Sequence, residues 1–211
     1  MRDSVTIRRS IQQAESWLRS RDRRMARLIE QHGPCTLYAD NALIRKTAFH
    51  VLVWSIINQQ LSVASARSIE RRLLGLHRRN TFQHATIAAL ADADLRACGL
   101  SRQKIRYLRE LCDSIASGEL TPSRLSALDN LQVEQRLRRV PGIGPWTVDM
   151  FLMFYLARLD VLPLGDLALR KAISITYDLG DDADTDRMAQ LGRRWAPYRT
   201  VASWYLWCAV D

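Results

Sequence analysis

Apolar residues recur at spacings of three and four along most of the chain, and the alternation typical of strands is scarce. This period is characteristic of amphipathic helices, so the sequence predicts an all-α protein. Pairs such as Gly33-Pro34, Pro141-Gly142 and Gly180-Asp181 interrupt the pattern and mark turns between helices. The predicted helices cover roughly residues 4–19, 22–32, 47–59, 62–76, 84–90, 92–97, 102–117, 132–140, 145–157, 166–178, 184–194 and 197–209.

Two stretches, residues 51–57 and 150–156, are apolar on every side of the helices they would form. A helix without a polar face is fully buried in a soluble protein. These stretches therefore predict two helical lobes built around long central helices, within a single domain spanning residues 1–211. Neither a low-complexity linker nor an internal repeat divides the chain.

The composition limits the chemistry that the chain can carry. Hydrophobic residues make up 47% of its 211 residues, enough for a sizeable core. The four cysteines lie too far apart for an iron–sulfur cluster, and they suit reduced thiols in a cytoplasmic protein. The histidines lack zinc-ligand spacing, so no cofactor is expected. The cysteines are Cys35, Cys98, Cys112 and Cys208.

Charge points to a polyanionic partner rather than to a membrane. The N-terminal residues are charged throughout, and the longest apolar run, residues 150–156, is too short to cross a bilayer. The net charge of +9 favours binding to a polyanion, because each neutralised phosphate releases counterions. A generally basic protein without such a partner fits the charge equally well, so the motifs must decide.

Residues 137–149 form the most informative segment, Leu-Arg-Arg-Val-Pro-Gly-Ile-Gly-Pro-Trp-Thr-Val-Asp. Gly142 and Gly144, between two helical patterns, permit a tight turn, and Pro145 suits the first position of the second helix. The backbone N–H groups of this turn would then form an anion site fit for a DNA phosphate. Taken alone, the two glycines favour an ordinary corner between helices.

Asp166 follows a loop containing Pro163 and Gly165 and precedes an apolar-periodic helix. By pattern alone it is a helix N-cap. The position also has chemical value, because a helix N-terminus favours an ionised carboxylate. A fixed carboxylate can stabilise the positive charge that develops on a sugar when an N-glycosidic bond breaks.

Both motifs together resemble those of a known superfamily. Residues 140–144, Val-Pro-Gly-Ile-Gly, are similar to the Leu-Pro-Gly-Ile-Gly signature of helix-hairpin-helix DNA repair proteins. Asp166 lies 22 residues after Gly144, and Asp166-Leu-Ala-Leu-Arg resembles the Asp-x-x-apolar-Arg ending of the helix-hairpin-helix-GPD DNA glycosylases. The order and spacing of the two motifs identify the sequence as a member of that superfamily.

The resemblance implies a role for each part of the hairpin. Gly142, Ile143 and Gly144 would grip the phosphate backbone of double-stranded DNA without reading its sequence. The carbonyl groups of Arg138, Val140 and Ile143 would hold a structural monovalent cation, Na⁺ or K⁺.

By the same resemblance, Asp166 would be the catalytic carboxylate.

Two further features separate the branches of the superfamily. Trp146 stands where bifunctional members place a nucleophilic lysine, which implies a monofunctional enzyme without abasic-site lyase activity. The iron–sulfur branches carry a cysteine cluster near the C-terminus, where this chain has only Cys208.

Two more segments resemble the 3-methyladenine DNA glycosylase II family in particular. Residues 49–62, ending in Gln59-Gln60-Leu61-Ser62, match its Ile-x-x-Gln-Gln-Leu-Ser stretch, and residues 99–104 match its Gly-Leu-Ser-x-x-Lys stretch. The resemblance covers about residues 20–210 and implies a compact two-lobe fold that lacks the N-terminal β-rich domain of larger members.

This family resemblance suggests which residues displace and hold the damaged base. Gln60 and Leu61 would form the wedge that fills the gap in the duplex, although a buried glutamine at a helix break is the competing interpretation. Trp146 and Trp207 would line the base pocket, although aromatic residues at helical spacing usually belong to the core.

The expected function is excision of alkylated purines from DNA by base flipping. A monofunctional glycosylase for deaminated or mismatched bases, and a non-catalytic DNA-binding module, remain as alternatives. We expect a monomer in the cytoplasm that associates with the bacterial nucleoid.

Overall fold

The computed structural model describes residues 4–39, 46–76, 81–180 and 184–210, and every regular element in these ranges is helical. The all-α prediction is therefore confirmed. The chain divides into two compact units, Met1–Asn41 with Leu152–Asp211, and Ala42–Phe151. Within the described ranges, no helix is both long and apolar enough to span a membrane.

The first unit contains the two N-terminal and the three C-terminal helices. Its core is formed by apolar side chains from all five helices together with the buried Trp195. Aspartates cap three of the helices, since the side chains of Asp22, Asp166 and Asp184 each accept a hydrogen bond from a backbone N–H of the first turn. The helices are α1 (Ser4–Arg21), α2 (Arg23–His32), α10 (Leu167–Tyr177), α11 (Thr185–Gly192), followed by a 3₁₀ turn (Arg193–Trp195), and α12 (Arg199–Cys208).

The described part of the second unit contains helices α3 to α9 and one 3₁₀ helix. Helix α3 is its core element, with nine of its eleven residues buried, as the apolar stretch at residues 51–57 predicts. The helices are α3 (Ala48–Asn58), α4 (Val63–Gly75), α5 (His84–Ala89), α6 (Asp92–Ala97), α7 (Arg102–Ala116), a 3₁₀ helix (Pro122–Ala127), α8 (Asn130–Leu137) and α9 (Pro145–Met150).

Most predicted helix ends lie within two residues of the observed ends, but the helix predicted to extend to residue 140 already ends at Leu137. Helix α8 begins at Asn130 because Asp129 and Gln132 form a capping box. It ends at Leu137, since the following residues turn toward α9 through a hydrogen bond from the Val140 N–H to the Leu137 carbonyl of 3.1 Å.

The long central helix predicted at 145–157 is also wrong. Helix α9 ends at Met150, and the chain continues as a π-helical turn over Phe151–Tyr155. Ala157 then adopts a left-handed conformation with φ 50°, which ends the helical path. A run of large apolar residues has no period, so it predicts burial but does not reveal a change of helix type.

Candidate active site

Asp166 occupies the N-cap of α10, as predicted. Its φ and ψ of −84° and 120° are extended, and its Oδ1 accepts a hydrogen bond of 2.8 Å from the N–H of Leu169. The side chain is partly exposed. The carboxylate therefore lies at the positive end of the α10 dipole while remaining accessible to a ligand.

Trp207, on α12, holds the same carboxylate oxygen. Its indole Nε1 donates a hydrogen bond of 3.1 Å to Asp166 Oδ1. The indole ring is half-buried and stacks on Phe154, with ring centroids 6.1 Å apart and planes 19° from parallel. Two donors from different helices therefore fix the orientation of the Asp166 carboxylate.

The loop that leads to Asp166 is fastened to the start of α12. The buried Thr200 Oγ1 donates to the carbonyl of Arg158 at 2.7 Å and accepts from the N–H of Val161 at 3.0 Å. Arg199 binds both carboxylate oxygens of Asp160, at 2.6 Å and 3.0 Å. This loop and Trp207 are thus positioned by one helix.

The hairpin between α8 and α9 belongs to the second unit, and its two glycines have different surroundings. Gly142 has φ +89°, and a Cβ atom there would lie 2.3 Å from the ring of Tyr107. Gly144 has φ −89° and caps α9, and a Cβ atom there would meet nothing within 4 Å. The fold itself therefore requires glycine at Gly142 but not at Gly144.

The buried side chains of Val140 and Ile143 anchor the hairpin turn in the core of the second unit. The Ile143 N–H donates to the Val140 carbonyl at 3.1 Å, which leaves that oxygen a second lone pair. Backbone carbonyl oxygens are hard, neutral donors that suit Na⁺ or K⁺, so those of Arg138, Val140 and Ile143 fit such an ion chemically. Among the described residues, no group of three His, Cys, Asp or Glu side chains could hold a metal ion.

The turn between α3 and α4 carries the two predicted wedge residues. Gln60 has a positive φ of 56°, and its side chain and that of Leu61 are exposed. The side chain of Gln59 donates a hydrogen bond of 2.7 Å to the carbonyl of Gly142. The turn is therefore exposed and is joined directly to the hairpin, and the wedge role of Gln60 and Leu61 stays a prediction.

A scan of family models matches residues 53–197 to the HhH-GPD superfamily of base excision DNA repair proteins. The chain belongs to this superfamily. A DNA-3-methyladenine glycosylase of Schizosaccharomyces pombe is 32% identical over 203 residues, which cover 94% of this chain and 87% of the relative. A relative from Bacillus subtilis is longer: the match, 31% identical, covers 89% of this chain and 66% of that one.

Solved structures of HhH-GPD proteins share this fold. The S. pombe 3-methyladenine DNA glycosylase in complex with abasic DNA matches with a TM-score of 0.83 at 29% identity, over 92% of this chain and 95% of that chain. A DNA-3-methyladenine glycosidase from Bacillus halodurans matches with a TM-score of 0.81 at 34% identity, over 93% and 89% of the two chains.

The structure brings some of the predicted HhH-GPD site residues together within each unit. Asp166 and Trp207 are in direct contact in the first unit. In the second unit, the turn that carries Gln60 and Leu61 is bonded to the hairpin. Trp146, the second residue of α9, is half-buried in that same unit.

Several residues that position the site were not predicted. Gln59 and Lys104 stand inside the two stretches that resemble the family, yet a motif match gives them no role. Tyr107 and Thr200 carry no sequence signal, since their contacts with the hairpin and with the Asp166 loop depend on residues distant along the chain.

Proposed function

We propose that this HhH-GPD protein is a monofunctional DNA glycosylase of the 3-methyladenine type, which hydrolyses the N-glycosidic bond of alkylated purines in double-stranded DNA. The observation that carries the proposal is the Asp166 carboxylate, held at the N-terminus of α10 by Leu169 and Trp207. The names of the relatives and the solved complex with abasic DNA support the same reaction.

In this mechanism the protein binds the DNA backbone before it reaches the base. The backbone N–H groups of Gly142 and Gly144 donate hydrogen bonds to a phosphate at the start of α9, where the helix dipole favours an anion. A monovalent cation held by the carbonyls of Arg138, Val140 and Ile143 would add positive charge next to that phosphate. Gln60 and Leu61 enter the duplex where the damaged nucleotide has left the stack.

Bond cleavage then depends on charge at the sugar. As the bond between the sugar and the base breaks, its electron pair leaves with the base and the sugar becomes an oxocarbenium-like cation. The fixed charge of Asp166 stabilises this cation. Water adds to the sugar carbon and loses a proton, and the products are a free base and an abasic site.

Alkylated purines suit this site because methylation at N3 or N7 makes the base cationic. Such a base is attracted to an aromatic face, which Trp207 would supply beside Asp166 in the first unit. It is also a good leaving group, so the reaction needs no strong general acid. The pocket can therefore be permissive and the lesion itself provides much of the selectivity.

The test compares single-turnover excision from matched duplexes that contain 3-methyladenine, 7-methylguanine, uracil or a mismatched base, each followed by alkaline cleavage. We expect the two alkylpurines to be removed faster than uracil. Faster removal of uracil or of the mismatched base would assign the enzyme to those lesions instead. No cleavage of any substrate would leave only a DNA-binding module.

The monofunctional assignment rests on Trp146, which replaces the lysine that forms a Schiff base in bifunctional relatives. Borohydride added during turnover should trap no covalent protein–DNA adduct, and strands should break only after alkali. A trapped adduct would contradict the assignment. We also propose that the enzyme acts as a monomer, which sedimentation with and without duplex DNA tests.

A further inference from the structure

A lysine side chain binds the backbone immediately before the exposed turn between α3 and α4. The Nζ atom of Lys104, on α7, donates hydrogen bonds to the carbonyls of Ile57 and Gln59, at 2.7 Å and 2.8 Å. These carbonyls lie at the C-terminal end of α3, where the helix carries partial negative charge. The ammonium group therefore satisfies two backbone acceptors immediately before Gln60.

The ammonium group of Lys104 binds these two backbone carbonyls. Within the described ranges it forms no salt bridge with an aspartate or glutamate. Burial lowers the pKa of its ammonium group, so holding the lysine here costs free energy that the two short hydrogen bonds offset. A methionine of similar length would fill the same space without this cost. The N–H donors of the ammonium group are therefore what distinguishes lysine from methionine at this position.

The same helix also supports the hairpin. Tyr107 lies one turn after Lys104, and its ring packs so closely under Gly142 that no Cβ atom fits between them. Gln59, whose carbonyl Lys104 binds, sends its side chain to the carbonyl of Gly142. Helix α7 therefore contacts both the α3–α4 turn and the hairpin and supports both.

We propose that Lys104 is the positioning residue for base displacement: its bonds to the Ile57 and Gln59 carbonyls hold Gln60 and Leu61 at a fixed place relative to the hairpin. The inference rests on the proposed glycosylase function and adds a residue outside the DNA-contacting set. When the hairpin grips a phosphate, the wedge is already aligned with the nucleotide to be displaced.

Loss of Lys104 has a specific consequence. Gln60 keeps its left-handed conformation only while its surroundings hold it there, because that conformation is unfavourable for a residue with a side chain. Without the two hydrogen bonds, the wedge has to be ordered during each displacement. The defect should therefore be large for a lesion in a stacked base pair and small for one that is already extrahelical.

The experiment compares Lys104→Met with Lys104→Arg, which retains the charge and the donors, and with Arg102→Met, which removes one positive charge from an exposed position of the same helix. Single-turnover excision is measured for one alkylated purine, either paired in a duplex or placed in a bulge. We expect the excision rate of Lys104→Met to fall at least tenfold on the paired lesion and less than threefold on the bulged one. Lys104→Arg should recover most of the loss, and Arg102→Met should affect both substrates equally.

A second measurement needs no excision, so it separates this inference from the glycosylase assignment. A duplex carrying a tetrahydrofuran abasic analogue beside 2-aminopurine becomes more fluorescent when a wedge unstacks it. At saturating protein, Lys104→Met should give less than half of the wild-type increase, with an unchanged unfolding midpoint. Gln59→Met, which breaks only the bond to the hairpin, should reduce the increase in the same direction. The proposal would be overturned if Lys104→Met gave the same fluorescence increase as the wild type. It would also be overturned if Lys104→Met lost excision equally on paired and bulged lesions.

Discussion

At Asp166, the protein uses one carboxylate oxygen for two internal hydrogen bonds, from Leu169 and Trp207. Asparagine at this position retains an oxygen that can accept both bonds and is an equally good N-cap, so Asp166→Asn removes the charge and keeps these two bonds. We expect excision to fall about 100-fold or more, because the cationic sugar loses its stabilising charge. Affinity for a tetrahydrofuran duplex should persist. Excision within threefold of the wild-type rate would show that Asp166 is not the catalytic carboxylate.

The indole N–H of Trp207 binds Asp166, and in the proposed mechanism the aromatic face of Trp207 contacts the base. Two substitutions separate these roles. Trp207→Phe retains an aromatic ring but cannot donate the 3.1 Å hydrogen bond, whereas Trp207→Ala loses both. We expect 7-methylguanine release to slow about tenfold or more in Trp207→Ala and by a smaller factor in Trp207→Phe. A Phe variant as fast as wild type would mean that the indole N–H does not orient Asp166.

The hairpin glycines should respond differently to the same substitution. Gly142→Ala places a methyl group against Tyr107 in a left-handed conformation, so we expect a loss of about 2 kcal/mol or more in unfolding free energy. Gly144→Ala meets no protein atom within 4 Å, so we expect at most the loss of about 1 kcal/mol that alanine causes at a helix N-cap. Its affinity for duplex DNA should nevertheless fall about tenfold for every sequence, since the methyl group occupies the space that a phosphate approaches.

Gly75→Ala provides the matched control for Gly144, because Gly75 is also surrounded by open space, at the end of α4. Its affinity and stability should both remain unchanged. A loss of affinity confined to particular flanking sequences would contradict a hairpin that grips only the backbone.

At the scale of elements, the sequence predicts what depends on local pattern and misses what depends on distant contacts. The Asp166 N-cap and the hairpin turn are local, since a capping side chain and two glycines determine them. The π-helical turn at Phe151–Tyr155 could not be read from an apolar run, and the role of Lys104 requires α7 to lie beside the end of α3. The motif resemblance points to the segments that contain these residues, but it does not explain why those residues are there.

Asp22 links three elements of the first unit through one buried carboxylate. Its Oδ1 caps α2 through the N–H groups of Arg24 and Met25, and its Oδ2 accepts from Tyr177 Oη at 2.8 Å and from Trp195 Nε1 at 3.2 Å. Asparagine retains the cap but turns an NH₂ group toward an indole that can only donate. We expect Asp22→Asn to lower the free energy of unfolding by about 1–3 kcal/mol in urea titrations.

Asp184→Asn is the control for this change, since Asp184 caps α11 in the same way but is exposed to solvent. It should alter stability by less than about 0.5 kcal/mol. Equal effects of the two substitutions would show that capping, rather than the bonds to Tyr177 and Trp195, accounts for the loss.

At the scale of the whole molecule, charge and chemistry are divided between the two units. The second unit holds 16 of the 31 basic residues but only nine of the 22 acidic ones, a net charge of +7 out of the total of +9. It also holds the hairpin and the wedge turn, whereas Asp166 and Trp207 belong to the first unit. Most of the salt-dependent affinity for DNA should therefore come from the second unit.

One acidic residue of the second unit makes stability depend on pH. Burial, and to a lesser extent the negative charge of Glu134, raise the pKa of the Asp149 carboxyl from 3.8 to about 7. Between these values the folded protein binds a proton that the unfolded chain releases, so stability should fall as pH rises from about 4 to 7. Asp149→Asn removes this titration. Because the carboxyl retains some access to solvent, we expect a gain of about 1–2 kcal/mol at pH 8 and almost none at pH 4.

Urea titrations at several pH values test this expectation, with Asp113→Asn as the control because Asp113 is exposed on α7. Wild type and Asp113→Asn should lose stability in parallel between pH 4 and 7, while Asp149→Asn should lose less. If the three curves have the same slope, Asp149 is charged in the folded protein at neutral pH and its burial costs nothing measurable. A smaller slope for Asp149→Asn would instead identify α9, the helix that begins at the hairpin, as an element that carries a destabilising buried acid at neutral pH.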